Sequence, residues 1–139
     1  MRAETDPQLR DLLGADSIAV IGCSTTPGKE AHEIPKYMLE QGYEVIPINP
    51  YADTIFQKDA YDSLAAVEET IDMVDVFRPS EEVAGIVEEV LARDVDRGDI
   101  ESLWLQLGIH DDEATAEAVE AGIDVVQDRC LKVEHQRLL

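Results

Sequence analysis

Five short, nearly continuous apolar runs recur along the chain, at residues 18–21, 43–48, 71–77, 100–107 and 123–126. Each is rich in β-branched residues and stops at a turn residue, the pattern of strands covered on both faces in a parallel sheet. Between them the apolar spacing changes to that of helices. Leu9, Leu12 and Leu13 predict an opening helix, with Asp6 as its N-cap, Pro7 in its first turn and Gly14 at its end. Met38 and Leu39 fall in a second helix that stops at Gly42, with Pro35 near its start. A weaker helical stretch covers residues 63–69. Ser80 is the expected cap of the strongest helix, whose inner face carries Val83, Ile86, Val87, Val90 and Leu91. Ala114, Ala118, Val119 and Ala121 mark another helix closed by Gly122, and residues 131–139 a short last one. Strands alternating with helices predict an α/β fold: a three-layer, doubly wound, Rossmann-like parallel sheet of about five strands, in a single domain over residues 1–139.

Composition narrows the partners. The 31 Asp and Glu against 11 Lys and Arg give a formal net charge of −20. The acids recur on the predicted helix surfaces rather than in a tail, so the chain is expected to be halophilic, its dense surface charge keeping it soluble in high salt. Such a surface has no clustered cations for phosphate backbones, which excludes nucleic acid and anionic membranes as partners. No apolar run approaches the roughly 18 residues of a membrane span, and a cytoplasmic location is expected. Cys23 and Cys130 are too few for a disulfide scaffold and lack zinc spacing, so no metal is expected.

In a doubly wound sheet the ligand sits beyond the carboxyl ends of the strands. The first run breaks into Gly22-Cys23-Ser24-Thr25-Thr26-Pro27-Gly28-Lys29, a glycine-bounded, hydroxyl-rich loop ahead of a helix start, which is a cradle for an anion. A Walker loop is excluded by the five residues between Gly22 and Gly28 and by Glu30 after Lys29. A dinucleotide fingerprint needs glycine at Ser24 and an acid where the second strand ends in Asn49-Pro50, so ordinary NAD binding is disfavoured. An NAD(P)- or nucleotide-dependent enzyme built on an atypical loop stays as the alternative. The other strand ends, Asn49-Pro50-Tyr51, Phe77-Arg78-Pro79, Gln106-Leu107-Gly108-Ile109 and Asp128-Arg129-Cys130, outline one crevice with the loop.

Taken together, Val20-Ile21-Gly22-Cys23-Ser24, residues 37–50, Val74-Asp75-Val76-Phe77-Arg78-Pro79, residues 103–109 and residues 128–135 resemble the small stand-alone CoA-binding proteins. That family is related to the N-terminal domain of the succinyl-CoA synthetase α subunit. The resemblance implies coenzyme A or an acyl-CoA across the strand ends. Gly22, Cys23, Ser24, Thr25 and Thr26 would hold the pyrophosphate, flanked by Lys29 or His32. Asn49, Pro50 and Tyr51 would line the adenosine side, with Arg78 and Pro79 beside ribose and adenine. Gln106, Gly108 and Ile109 would face the pantetheine. Synthetase domains carry a basic residue soon after the proline ending the second strand, where this chain has Ala52-Asp53, with Lys58 the nearest cation.

No Ser/His/Asp set or metal-spaced cluster is present, and His110 and His135 read as ordinary polar residues, so no catalytic residue is assigned. The expected role is a non-catalytic carrier, sensor or partner subunit, acting as a monomer, a homodimer or with a protein partner. Both cysteines follow strands at the ligand edge, and Cys130, with Cys23 second, is the expected partner of the CoA thiol in a mixed disulfide.

Overall fold

In a computed structural model that describes residues 1–139, the apolar runs become β1 (Ser17–Ile21), β2 (Glu44–Ile48), β5 (Met73–Val76), β6 (Ser102–Leu105) and β7 (Asp124–Val126). A small antiparallel hairpin, β3 (Thr54–Ile55) and β4 (Lys58–Asp59), lies between β2 and β5. The five long strands are all parallel in the order β2-β1-β5-β6-β7, so the order reverses at β1. The expected α/β architecture and strand number are those observed.

Side-chain alternation divides the strands between two cores. Ala19, Ile46, Val74, Leu103 and Val125 face α3 (Val83–Asp96) and α4 (Asp112–Glu120), meeting Val87, Val90 and Ala118. Ile18, Val20, Val45, Met73, Trp104 and Val126 face α1 (Asp6–Leu12), α2 (Glu30–Glu40) and α5 (Leu131–Leu138), meeting Leu9, Met38 and Leu131. Burial of both faces explains why the strands are continuously apolar rather than alternating.

Several expected details differ. The cap of α1 is Thr5, not Asp6: Thr5 Oγ1 accepts from Gln8 N and the Gln8 side chain accepts from Thr5 N, a reciprocal capping box. Residues 63–69 yield only a 3₁₀ turn at Leu64–Ala66. Ser80 opens a 3₁₀ turn ahead of α3, and its hydroxyl accepts from His110 N instead of capping the helix. Pro35 lies inside α2 rather than near its start. Both sheet edges carry extra backbone pairing. Arg2 bridges Val125, with Ala3 N donating to Val125 O at 2.8 Å. Tyr61 bridges Ile48, its N donating to Pro47 O and its O accepting from Asn49 N, each at 2.9 Å.

Candidate functional site

At the reversal of strand order, β1 ends in Gly22 with φ +84°. A Cβ there would stand 2.9 Å from Arg78 Cδ and 3.1 Å from Phe77 O, so only glycine lets the chain turn this close to the end of β5. The following loop is fixed by a consequence of Pro35. A proline has no N–H to give the carbonyl four residues earlier, and that freed acceptor, Ala31 O, receives Ser24 N at 2.9 Å. Ser24 Oγ accepts from Thr26 N at 3.0 Å, and His32 Nδ1 lies 2.8 Å from Ser24 O. Asn49, at the end of β2, donates Nδ2 to Cys23 O and accepts Tyr51 N on Oδ1. Gly28 N donates to a Glu33 carboxylate oxygen at 3.2 Å, so this loop amide is spent on the chain's own side chain.

The loop forms one wall of a crevice of about 530 Å³. Its lining brings together Gly22, Cys23, Ser24 and Lys29 after β1, Asn49, Pro50 and Tyr51 after β2, and Phe77 and Arg78 after β5. The opposite wall was not read from the sequence: Asp62, Ser63 and Leu64, with Glu82, Ile86 and Glu89 from the start of α3. Buried Arg93 explains why that wall stands where it does. Its guanidinium pairs with Asp99 at 2.9 Å and donates to the carbonyls of Leu64, Val67 and Glu69, tying the 3₁₀ segment to α3. An arginine interrupting an otherwise apolar stripe was the available signal.

The floor is apolar, from Ile21, Ile48, Leu64, Phe77 and Ile86, and the rim is charged. Arg78 is spent on Glu82 through two contacts, Nε at 3.2 Å and Nη2 at 2.7 Å. Glu82 raises the affinity of Arg78 for its proton, and Arg78 holds the Glu82 carboxyl below its ordinary value. Lys29 is exposed and joins none of the chain's ion pairs. Tyr51 projects from the rim, 95% exposed.

The remaining sequence candidates are not on this lining. Thr25 and Thr26 belong to the loop and His32 to the start of α2, and all three lie outside the crevice wall, as does Pro79. Gly108 and Ile109 sit in the turn after β6, where Gly108 N donates to Asp128 and Ile109 O accepts from Asp128 N. Cys130 is half-buried at the start of α5. Gln106, expected to face the pantetheine, is 4% exposed and wholly used inside. Its Nε2 donates to Asp75 Oδ1 at 2.6 Å and its Oε1 accepts from Leu131 N at 3.3 Å.

Asp75 is fully buried in the middle strand, aligned with Val20 and Trp104, and its second oxygen has no partner. Burial pushes its carboxyl up to about 7, against the opposing pull of the Gln106 hydrogen bond. Burial, with Asp75 nearby, also pushes the Cys23 thiol up to about 12, which leaves it protonated and unreactive at neutral pH. The acid within the apolar run 71–77 was visible in the sequence. Its solitude was not.

Proteins similar to this chain share its family and fold. The family model described as "CoA binding domain" matches residues 16–136. An uncharacterised Bacillus subtilis protein, YneT, is 35% identical over 136 residues, 97% of each chain. The ADP-forming acetate–CoA ligase II of Archaeoglobus fulgidus is 36% identical over 96 residues, 68% of this chain but 14% of the ligase. Among solved structures, a Thermus thermophilus protein superposes with a TM-score of 0.89 at 42% identity, over 98% of this chain and 100% of its own.

Proposed function

This chain belongs to the CoA binding domain family, and from that membership we propose that it binds coenzyme A or an acyl-CoA in the crevice at the strand-order reversal, without transforming it. The observation that carries the reading is the convergence of three strand ends, the Gly22 loop and the unpaired Lys29 on one apolar-floored crevice. Gly22 and Ser24 spend their N–H groups on Ile48 O and Ala31 O, so the pyrophosphate lies against the Cys23 N–H, which has no acceptor within the chain, with Lys29 as its cation. Asn49 holds the loop to the end of β2, and Pro50 and Tyr51 flank the adenosine. The apolar floor takes the adenine or the pantetheine chain. His32 holds the loop from α2 through Ser24 O, Thr25 and Thr26 lie on its exposed outer side, and Gly108, Ile109 and Cys130 meet only the far end of a long ligand.

The acetate–CoA ligases are about five to eight times longer than the matched region, so their ligation chemistry does not come with it. The role we read for it is that of a carrier, sensor or partner subunit, with the Cys23 thiol beside the ligand kept protonated by burial.

Calorimetric titration with CoA, acetyl-CoA, NAD and ATP tests the reading. CoA or acetyl-CoA is expected to bind and NAD and ATP to bind more weakly. Binding of NAD with none of CoA or acetyl-CoA would overturn it in favour of a dinucleotide site.

A further inference from the structure

The charge on the crevice walls is unusual for a site that takes a ligand with three phosphates. Two cations, Lys29 and Arg78, face three carboxylates, Asp62, Glu82 and Glu89. Arg78 is closed off by the two-contact pairing with Glu82, which leaves Lys29 as the free cation. Lys58 does not serve this wall: it lines a separate groove beside the hairpin, with Glu44, Gln57 and Asp59. One free ammonium and the Cys23 N–H, the loop amide on this wall with no acceptor within the chain, suit a pyrophosphate. A 3′-phosphomonoester adds about two more negative charges and meets carboxylates with no second free cation. Carboxylates are instead good acceptors for ribose hydroxyls.

We propose that the crevice recognises the diphosphate arm of its ligand and gains nothing from the 3′-phosphate, and that Glu82 is the positioning residue responsible, by holding Arg78 out of use. The inference rests on the CoA reading above. It widens the ligand class to ADP-pantetheine compounds with or without the 3′-phosphate. The pairing also explains the placement of Arg78: its aliphatic stem packs over Gly22, so the guanidinium is fixed at the mouth of the loop while its charge is engaged elsewhere.

The test is titration of the intact chain with CoA and with dephospho-CoA. The wild type is expected to bind the two within about twofold of each other. Glu82→Gln keeps the size of the side chain and loses the ion pair, and is expected to shift the ratio of dissociation constants about fivefold in favour of CoA, the size of one part-exposed charge contact. Adding Arg78→Gln to Glu82→Gln is expected to return the ratio to the wild-type value, which a merely structural effect of Glu82 would not do. A wild-type preference for CoA of about tenfold or more overturns the inference and leaves the CoA reading standing. A ratio unmoved by Glu82→Gln overturns the role of Glu82. Failure of both ligands to bind overturns the CoA reading and this inference with it.

Discussion

Arg78 and Asp75 stand three residues apart near the end of β5, and each meets one side chain, yet they behave in opposite ways. Arg78 opens onto the crevice, about half-exposed, paired with a carboxylate of equal exposure. Water screens that pair, so it adds little to the stability of the fold, and its members keep their charges. Asp75 is shut between the sheet and the helices of α1, α2 and α5, with one neutral amide for company and one oxygen unpartnered. There the carboxyl keeps its proton up to about neutral pH. Polar residues at the end of one strand therefore divide by access to solvent: those with water nearby set which charges the crevice mouth offers, and those without it set the stability of the fold.

The largest expected effect tests the shut-in half. In the fold Asp75 titrates at about 7, against 3.8 in an ordinary setting. Between those values the unfolded chain has shed a proton that the folded chain keeps, so stability falls as pH rises across the window and levels off above about 7. Some three units amount to about 4 kcal/mol. Urea unfolding of wild type and Asp75→Asn from acid to mildly alkaline pH should show that slope in the difference between the two curves. The variant should be the more stable at the alkaline end, by about 2 kcal/mol after the cost of its unpaired amide N–H. A difference that does not vary with pH would place the Asp75 carboxyl in the same class as Arg78.

Gly22→Val tests the open half at its narrowest point. A β-branched side chain at φ +84°, against Arg78 and the Phe77 carbonyl, should cost about 3 kcal/mol in thermal or urea unfolding and abolish CoA binding in calorimetry. Gln106→Leu removes the sole partner of Asp75 and the acceptor for Leu131 N. It should destabilise by about 2 kcal/mol, more at alkaline than at acid pH, while CoA affinity changes little if Gln106 belongs to the shut-in half as its burial indicates. Smallest, Lys29→Gln should leave unfolding unchanged and weaken CoA and dephospho-CoA alike by about fivefold.

The sheet was legible because both its faces are covered, which writes each strand as an unbroken apolar run such as Ile18-Ala19-Val20-Ile21. The crevice was half legible. Turn residues mark the three strand ends, but the wall from Asp62 to Leu64 is positioned by Arg93 across 26 to 29 residues, and no local pattern announces a contact at that range. The hairpin β3–β4 escaped notice for another reason: its turn places Phe56 and Gln57 at φ 57° and 63°, positions where glycine or asparagine is the usual signal. Gln106 and Gly108 share one turn, and from the sequence both face the ligand. Side-chain burial, which the letters do not carry, sends Gln106 inward to Asp75.

The pairing at the sheet's two edges constrains how this molecule joins others. Met1 to Ala3 occupy the outer side of β7, and Tyr61 sits against β2, where Pro47 already lacks a donor. Neither margin offers a long row of vacant amide and carbonyl groups, so strand-to-strand growth between copies, the route to fibrils and swapped sheets, finds no template. The large apolar surface left exposed lies elsewhere, with Tyr51 at the mouth of the crevice and Val95 on α3.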